Sequence, residues 1–397
     1  MKIGIYGGTF DPPHNGHIAA AKAAMERLSL DKLLLVPTFI PPHKELPAGA
    51  ASPQQRLDMT VLATAALGKK AEVLDVELRR GGPSYSWETL CMMKQQYPDD
   101  EIFLLMGSDM FLTLQDWRES RQVMSMARIG AFSRMQGGEE AAFARQKAFL
   151  EREYGADVTV IPNTQVVELS STEVRQALAQ GGGADLLPAA VYGYVLREKL
   201  YGTHMPLAGL TPDELRPIAL SYLKPKRMPH VLGTEQEAVR LVRRYGGDEN
   251  QARIAALLHD CTKKLDMPEQ LALCAEYGIE LDELERKALK LLHSKTGAAI
   301  ARGVFGVEDA VYDAIWYHTT GKPDMTRLEK IIYLADYIEP SRDFDGVEEL
   351  RRAVYEDLDH GLLMGLTMTI QEMEEMGNPV HHLTRDARDY LLKRGIR

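Results

Sequence analysis

Glycines and histidines near the start of the chain form its densest group of residues suited to chemistry. Gly7 and Gly8 end an apolar run, and His14 and His17 follow at the start of a helical stretch. Glycine lets a phosphate approach the backbone, and the amides at a helix start offer partly positive donors. Two histidines three residues apart on such a turn can face the same phosphate. The pattern indicates a phosphate-binding corner; a glycine-rich turn with incidental histidines is the alternative.

A second group, of histidines and aspartates, lies in the carboxyl-terminal half. His259 and Asp260 end an apolar helical run, and Asp336 lies within the apolar run IIYLADYI. A buried aspartate is costly unless it is paired or bound to a metal. Imidazoles and carboxylates together suit Fe, Mn or similar divalent metals, and six such side chains can hold two ions. The candidate metal ligands are His230, His259, Asp260, His293, His318 and Asp336.

Short apolar runs alternate with helical stretches through the first half of the chain. Helices such as HIAAAKAAMERL and SWETLCMMKQQY separate the predicted strands. Strands separated by helix-length crossovers predict an α/β doubly wound parallel sheet. Such sheets bind ligands beyond the carboxyl ends of their strands, where residues 7–17 fall. The predicted strands are KIGIYGG, KLLLVP, AEVLDVELR, EIFLLMG, RIGAFSR and VTVIP.

The pattern changes near Tyr201, after which apolar residues recur every three or four positions and indicate helices. The run VEELRRAVYEDLDHGLLMGLTMTIQEMEEM predicts one long helix. We therefore predict a doubly wound α/β domain over residues 1–203 and an all-α domain over residues 212–397. The boundary is expected between residues 200 and 212.

The composition excludes several classes of protein. The chain has 397 residues and a net charge of −10, which argues against a duplex nucleic-acid binder because such proteins carry a basic face. Its three cysteines are too few and too scattered for a disulfide framework. We find no apolar run of about 18 residues, as a membrane helix requires, and no secretory signal. We expect a cytoplasmic protein that binds neither membranes nor nucleic-acid polymers; homo-oligomer formation stays open.

Five blocks in the first half resemble the nucleotidylyltransferase superfamily, and more closely the bacterial nicotinate-nucleotide adenylyltransferases. The resemblance covers essentially residues 1–200 and implies a Rossmann-like fold. In one block, Ser86 stands where the family usually has threonine, which keeps the hydroxyl. The blocks are GGTFDPxHxGH at residues 7–17, PPHK at 41–44, GPSYxxxTL at 82–90, the GxD of Gly107 and Asp109 with Trp117, and SSTxxR at 170–175.

This resemblance implies transfer of the adenylyl group of ATP to nicotinate mononucleotide, giving deamido-NAD and pyrophosphate. His17 is implied to stabilise the transition state and His14 to hold the neighbouring phosphates, while Lys44 supplies a mobile positive charge. Mg²⁺ is expected to arrive with ATP. The residues implied to bind ATP are Gly7, Gly8, Thr9, Phe10, Gly107, Asp109, Ser170, Ser171, Thr172 and Arg175, and those implied to bind the nicotinate nucleotide are Ser84, Tyr85, Ser86 and Trp117.

Several of these residues could instead have a purely structural role. Asp109 could cap a helix instead of binding ribose hydroxyls, and Trp117 could pack in the core instead of stacking on the nicotinate ring. Lys44 could be a solvated loop lysine. Arg56 and Met59 read as ordinary helix residues.

The second half resembles the HD-domain phosphohydrolases, and more narrowly the bacterial symmetrical diadenosine tetraphosphatases, over about residues 212–395. It implies one or two divalent metals on the six ligands, with Asp260 also catalytic, and hydrolysis of diadenosine tetraphosphate to two ADP. Lys263 and Arg342 are implied to contact the polyphosphate, although either could be a solvated surface charge. The resemblance rests on Arg227, His230, residues 257–260, Lys263, His293, His318, Thr319, residues 335–339 and Arg342.

Alternative functions stay open in both halves. In the alternative for the first half, the substrate is nicotinamide mononucleotide, although Trp117 and the loop of Ser84, Tyr85 and Ser86 favour nicotinate. In that for the second half, the substrate is another nucleotide, such as a dNTP or an alarmone. The second half could also be a regulatory module that binds nucleotides without turnover, although a complete metal-ligand set favours a hydrolase. His293 alone would more often be a structural helix histidine. The remaining histidines with no comparable context, His204, His360, His381 and His382, are expected to be structural.

Overall fold

A computed structural model of the chain describes residues 1–42, 45–133, 139–162 and 169–396. The chain divides into two compact units, Met1–His204 and Met205–Arg397. Within the described ranges, none of the helices combines the length and apolar character that crossing a bilayer requires.

Six strands in the described residues of the first unit form one sheet, in which every pair of neighbours runs parallel. The strand order is β3-β2-β1-β4-β5-β6. The crossover from β3 to β4 passes both β2 and β1, as in a doubly wound sheet, which confirms the predicted fold class. The strands are β1 (Lys2–Gly8), β2 (Lys32–Pro37), β3 (Ala71–Val73), β4 (Glu101–Met106), β5 (Arg128–Ser133) and β6 (Val158–Pro162).

Helices connect these strands, as the alternating pattern predicts. They are α1 (Asn15–Arg27), α2 (Pro53–Ala63), α3 (Val76–Arg80), α4 (Ser86–Gln96), α5 (Ser108–Leu112), α6 (Ser120–Met126), α7 (Glu139–Tyr154), α8 (Ser171–Ala179) and α9 (Ala189–Arg197).

The predicted strand AEVLDVELR is wrong beyond its first three residues. The amide of Leu74 makes a last sheet contact with the carbonyl of Leu35, and the chain then turns into the short helix α3. Asp75 and Arg79 pair one helical turn apart, with 2.7 Å between the carboxylate and the guanidinium. Since β3 is an edge strand, no further neighbour holds this segment extended.

The central strands bring two candidate loops together. β1 and β4 are neighbours, and their register pairs Tyr6 with Leu105. The segments that follow, from Gly7 and from Gly107, therefore leave the same edge of the sheet. Ile5, Leu34, Leu104 and Ile129 are fully buried side chains of this core, which fixes the strand ends that carry both loops.

The described residues of the second unit are helical, with no strand among them, as predicted. The helices are α10 (Pro212–Ser221), α11 (Met228–Tyr245), α12 (Glu249–Leu258), α13 (Met267–Glu276), α14 (Leu289–Phe305), α15 (Asp309–Trp316), α16 (Arg327–Ile338), α17 (Val347–Glu356), α18 (Leu358–Glu375) and α19 (His382–Lys393).

The long helix predicted across residues 347–376 is two helices. Asp357 has an extended backbone, with φ −148° and ψ 127°, and its side chain accepts the amide of His360 at the start of α18. Gly361 allows the two helices to fold against each other, because a Cβ there would lie 2.6 Å from the Cα of Val354. Apolar periodicity alone does not register this break, since it continues on both sides of the turn.

Candidate functional site

The strand-to-helix corner after β1 brings His14 and His17 together. His14 is the N-cap of α1 and His17 lies in its first turn. The two imidazole rings have centroids 3.7 Å apart and planes 38° from parallel. Gly16 makes this fit possible, because a Cβ there would lie 3.0 Å from Nδ1 of His14.

A backbone hydrogen bond determines which ring nitrogen of His17 carries the proton. Its Nδ1 accepts the amide hydrogen of His14 at 3.1 Å, so in the neutral ring the proton is on Nε2. A histidine with a protonated Nε2 is a hydrogen-bond donor, which suits a phosphate oxygen.

His14 is buried and neutral near pH 7. Burial lowers the pKa of His14 to about 4, although the carboxylate of Glu173 acts in the opposite direction. Its Nδ1 is buried without a hydrogen-bond partner among the described residues. Such an atom costs free energy unless a ligand or water satisfies it.

The segment from Ser170 to Arg175 lies against this corner. Ser170 caps α8 by accepting the amide of Glu173 at 3.2 Å. The Ser171 hydroxyl donates to the carbonyl of Pro12 at 3.4 Å. Arg175 donates to the carbonyl of Asp11 at 2.7 Å and to the Thr172 hydroxyl at 3.1 Å. The last of the five sequence blocks therefore contacts the first, through Pro12 and Asp11.

The segment after β4 places Gly107 and Asp109 at the same edge of the sheet. Gly107 is the N-cap of α5, so the alternative in which Asp109 caps this helix does not hold. Asp109 is exposed in the first turn. Trp117 is half-buried and packs against the core of the unit, so part of its surface serves packing.

The loop before α4 uses Ser84 and Tyr85 in different ways. The buried Ser84 hydroxyl accepts the amide of Phe39 at 2.9 Å, and its own amide donates to the carbonyl of Ile40. Ser84 thus joins two loops. Tyr85 and Ser86 are half-buried at the start of α4. Lys44, predicted to be catalytic, lies outside the described residues.

In the second unit, three buried histidines have Nδ1 on an oxygen that can only accept a hydrogen bond. In the neutral form that a metal ligand must have, each ring therefore carries its proton on Nδ1 and a lone pair on Nε2. The Nδ1 contacts are His230 with the carboxylate of Glu339 at 2.9 Å, His259 with the carbonyl of Ala256 at 2.6 Å, and His318 with the carbonyl of Ile315 at 2.7 Å.

His293 presents a lone pair as well. The Lys263 ammonium, which can only donate, lies 2.9 Å from its Nε2. The same nitrogen is 3.2 Å from Nε2 of His318 and 3.2 Å from Oδ1 of Asp260. Burial lowers the pKa of His293 and lowers that of His318 well below its usual value, so both rings are neutral.

The lone pairs face carboxylates rather than donors. Nε2 of His230 lies 2.9 Å from Oδ1 of Asp336, and Nε2 of His259 lies 3.5 Å from Oδ2 of Asp260. Nε2 of both histidines and Oδ1 of Asp260 are buried without a hydrogen bond of acceptable geometry. Acceptors that face one another in a buried site need a cation between them.

The six predicted ligands therefore fit divalent metal. Three overlapping triads have ligand atoms within 4.8 Å of one another, and Asp260, His259 and His318 each belong to two of them. Shared ligands of this kind suit two neighbouring ions. The triads are His230, His259 and Asp260; His259, His318 and Asp336; and Asp260, His293 and His318.

Burial would raise the pKa of Asp260, but without metal the protonated imidazole of His259 and the Lys263 ammonium hold it well below its usual value. Asp260 is therefore a carboxylate, as a metal ligand must be. Asp336 is held in the same state without metal, because its contact with His230 and the positive charges of protonated His259 and of Arg342 outweigh its burial.

Both predicted polyphosphate contacts line one cleft with the ligand cluster. Lys263, Arg342, His293, His318 and Asp336 bound a cavity of about 1090 Å³. Arg342 donates to Oδ1 of Asp336 at 2.7 Å. Both side chains are partly buried, with 37% of the Lys263 side chain and 31% of the Arg342 side chain exposed.

A fourth group, of Asp282, His381 and His382, differs from these triads in the tautomer of His381. Nδ1 of His381 accepts the amide of Leu383 at 3.3 Å, which leaves the proton on Nε2. That nitrogen is a donor facing the carboxylates of Glu285 at 3.3 Å and Asp282 at 3.5 Å. A donor facing acceptors needs no metal, and His381 serves instead as the N-cap of α19.

Comparison with known proteins assigns the first unit. The cytidylyltransferase-like family matches residues 5–177. A protein of Shewanella frigidimarina named probable nicotinate-nucleotide adenylyltransferase is 36% identical over 213 residues, which are 51% of this chain and 100% of the relative. A relative of the same name from Shewanella sp. strain ANA-3 is 38% identical and 99% covered. Through its first unit, the chain belongs to the nicotinate-nucleotide adenylyltransferase family.

The second unit contains an HD domain, which matches residues 227–341. This span includes all six predicted ligands. A solved structure described as a predicted HD superfamily hydrolase involved in NAD metabolism, from Clostridium acetobutylicum, is 44% identical. The match covers 47% of this chain and 98% of the Clostridium acetobutylicum protein, with a TM-score of 0.45.

In the adenylyltransferase-family unit, sequence reasoning missed Arg56. This side chain is fully buried. Its guanidinium donates to the carbonyl of Thr9 at 2.8 Å and to that of Phe39 at 2.9 Å. Since Phe39 is in turn bound to Ser84, Arg56 connects three loops at the sheet edge. A helical arginine at the start of α2 carries no local signal of this use.

In the HD domain, Glu339 belongs to the block 335–339 on which the resemblance rests, but sequence reasoning gave it no role. It is buried and accepts from Nδ1 of His230, from the amide of Ser341 at 2.7 Å and from the Ser341 hydroxyl. Gly233 permits this approach, because a Cβ there would lie 2.5 Å from Oε2 of Glu339. A carboxylate behind a metal-binding imidazole orients the ring and raises its basicity.

We expect acid to destabilise the adenylyltransferase-family unit through His14. Unfolded histidine binds a proton near pH 6.5, but folded His14 does so only near 4, so stability falls as the pH decreases through this interval. In His14→Gln, the fall in the free energy of unfolding over this pH interval should be smaller by up to about 3 kcal/mol. Urea titrations followed by tryptophan fluorescence measure the free energy of unfolding. In a Trp316→Phe background they report this unit, because the remaining Trp87 and Trp117 both lie in it. Equal pH dependence in both proteins would contradict the expectation.

We expect Arg56→Met to destabilise the same unit by about 2–4 kcal/mol, because it leaves two buried carbonyls without donors. The same urea titrations measure this change. The control is Arg79→Met, whose parent side chain is 77% exposed and which should change stability by less than about 0.5 kcal/mol. An Arg56→Met protein as stable as its parent would show that the buried guanidinium holds nothing in place.

We expect Glu339→Gln to weaken divalent-metal binding by the HD domain by about 10- to 100-fold, since the ring of His230 loses its anionic partner. Competition with a chelator of known affinity measures the change. Glu235→Gln is the matched control, because Glu235 is equally buried but pairs with Arg216 and Arg253. Equal metal affinity in the two variants would refute the role of Glu339.

Proposed function

We propose that the protein is a bifunctional enzyme. Its first unit transfers the adenylyl group of ATP to nicotinate mononucleotide, giving deamido-NAD and pyrophosphate. Its HD domain hydrolyses diadenosine tetraphosphate with one water to two ADP. The proposal for the first unit stands on the paired His14 and His17 rings at the corner after β1, together with family membership.

Adenylyl transfer needs positioning and neutralisation of charge rather than a covalent intermediate. A phosphate oxygen of nicotinate mononucleotide attacks the α-phosphorus of ATP, and the bond from that phosphorus to the bridging oxygen of pyrophosphate breaks. The Nε2 proton of His17 is the donor toward the crowded, negative transition state. The uncharged His14 lies beside it, next to the neighbouring phosphates. A phosphate oxygen would then be the hydrogen-bond partner that Nδ1 of His14 lacks among the described residues. Mg²⁺ enters with ATP as part of the substrate.

Other residues complete the proposed nucleotide site. Ser171, Thr172 and Arg175 lie against the loop that ends at His14 and are suited to the triphosphate. Asp109 is proposed to bind ribose hydroxyls. Tyr85, Ser86 and Trp117 are proposed to hold the pyridine nucleotide, while Lys44 adds positive charge.

For the HD domain, the carrying observation is the convergence of imidazole lone pairs on Asp260 and Asp336. His230, His259, His293, His318 and the two aspartates would hold one or two divalent metals, for which Fe and Mn suit the donor set. Such metals, when bound, act as Lewis acids toward a phosphoryl group and toward the water that attacks it.

The residues around the cluster favour a polyphosphate substrate. Lys263 and Arg342 bring two positive charges to the cleft beside the ligands. The cleft volume of about 1090 Å³ lies just above the range of about 300–1,000 Å³ that is usual for small-ligand sites. A dinucleotide needs more room than a mononucleotide, so this volume supports diadenosine tetraphosphate.

We expect His17→Ala to lower pyrophosphate release from ATP and nicotinate mononucleotide by about a hundredfold or more, without changing ADP release from diadenosine tetraphosphate. His259→Ala should do the reverse and should lower the metal content of the purified protein. His204→Ala and His382→Ala, both at exposed positions, are the matched controls. Undiminished pyrophosphate release by His17→Ala, or unchanged metal in folded His259→Ala, would contradict the proposal.

A further inference from the structure

Arg118 is an exposed residue in the turn before α6. It follows Trp117 directly and precedes Glu119, whose left-handed backbone, with φ 54°, starts α6. The Arg118 guanidinium lies 4.7 Å from the centre of the Tyr85 ring. This contact joins the segment after β4 to the loop before α4. Both segments belong to the pyridine-nucleotide site proposed above.

The charge of Arg118 has no protein counterion among the described residues, since no carboxylate oxygen there lies within 4.0 Å of it. The neighbouring carboxylates are bound elsewhere: Asp116 accepts from Gln115, and Glu119 accepts from Gln122. Arg80, on the other side of the loop before α4, pairs with Glu88 at 3.0 Å. Arg118 is thus an exposed cation beside the proposed ring site.

Stacking on Tyr85 leaves the donors of this guanidinium available. A guanidinium over an aromatic face is oriented by the ring, while its N–H groups point outward along its edges. A carboxylate can take two of these N–H groups in parallel, which a carboxamide cannot do.

The two candidate mononucleotides differ in one group of nearly equal size. Nicotinate carries a negative carboxylate on the pyridine ring, and nicotinamide carries a neutral carboxamide. Stacking on Trp117 does not distinguish the two mononucleotides, because both pyridine rings present the same flat surface. A positive charge beside the ring distinguishes them, because it attracts the carboxylate but not the neutral carboxamide.

We propose that Arg118 binds the ring carboxylate of nicotinate mononucleotide and so determines the preference of this enzyme for nicotinate over nicotinamide substrates. This inference rests on the proposed adenylyl transfer. It makes Arg118 a specificity residue that acts in substrate binding, with Tyr85 as the surface that holds its guanidinium in place.

The test compares kcat/KM for the two mononucleotides at saturating ATP, using the full-length enzyme. Arg118→Gln should lower the value for nicotinate mononucleotide by about fivefold and leave that for nicotinamide mononucleotide unchanged. Arg118→Lys keeps the charge and should retain most of the preference. Raising the salt concentration should reduce the preference of the parent enzyme but not that of Arg118→Gln.

Arg121→Gln is the matched control. Arg121 is also exposed and lies 4.6 Å from the centre of a tyrosine ring, that of Tyr154, but it donates to the carbonyl of Glu153. It should leave both substrates unaffected. An equal fall for both substrates in Arg118→Gln, or an unchanged ratio, would overturn the proposal.

Calorimetric titration of each mononucleotide without ATP separates this inference from the proposed function. Weaker binding of nicotinate mononucleotide alone in Arg118→Gln supports the inference, even if the parent enzyme forms no dinucleotide. Such an absence of product would refute only adenylyl transfer. Failure of the parent protein to bind nicotinate mononucleotide, or equal binding by parent and variant, would refute the role of Arg118.

Discussion

The contact made by one ring nitrogen of each functional histidine decides what the other nitrogen can bind. In His17 the Nδ1 atom accepts a backbone amide, so Nε2 carries the proton and suits an anion. In His230, His259 and His318 the Nδ1 atom lies on an oxygen acceptor, so Nε2 carries a lone pair and suits a cation. In the functions that we propose, the chain thus uses one residue type for phosphate in one unit and for metal in the other. His381 shows the limit of composition, because its Nδ1 accepts an amide and its neighbourhood of carboxylates then needs no metal.

The main features of both folds could be predicted from periodicity and spacing. Apolar runs alternating with helical stretches suffice for a parallel sheet, and the position of His14 and His17 after the first strand places them at the edge where such sheets bind ligands. In the second half, an aspartate in the apolar run around residue 336 signals a partner because burial without one is costly. These signals are local to a strand end or to one helix, which is why they can be read directly.

The errors arose where tertiary contacts decide the outcome. The segment after Val73 has strand-like composition, but β3 is an edge strand and the chain turns into a helix. Periodicity continues across Asp357, yet close packing of Gly361 on Val354 requires a turn there. The roles of Arg56 and Glu339 were missed because their partners, Thr9, Phe39 and His230, are distant in sequence. No local pattern distinguishes a buried arginine of this kind from a solvated one.

The assignment of the ring protons is the claim on which both proposed activities depend. Long-range proton–nitrogen correlation spectra of imidazole-labelled protein measure the tautomer of each ring directly. We predict the Nε2–H tautomer for His17 and the Nδ1–H tautomer for His230, His259 and His318 in metal-loaded protein, with Nε2 signals of the latter three displaced when the metal is removed. The Nδ1–H tautomer at His17, or Nε2–H at the three HD-domain histidines, would contradict this account.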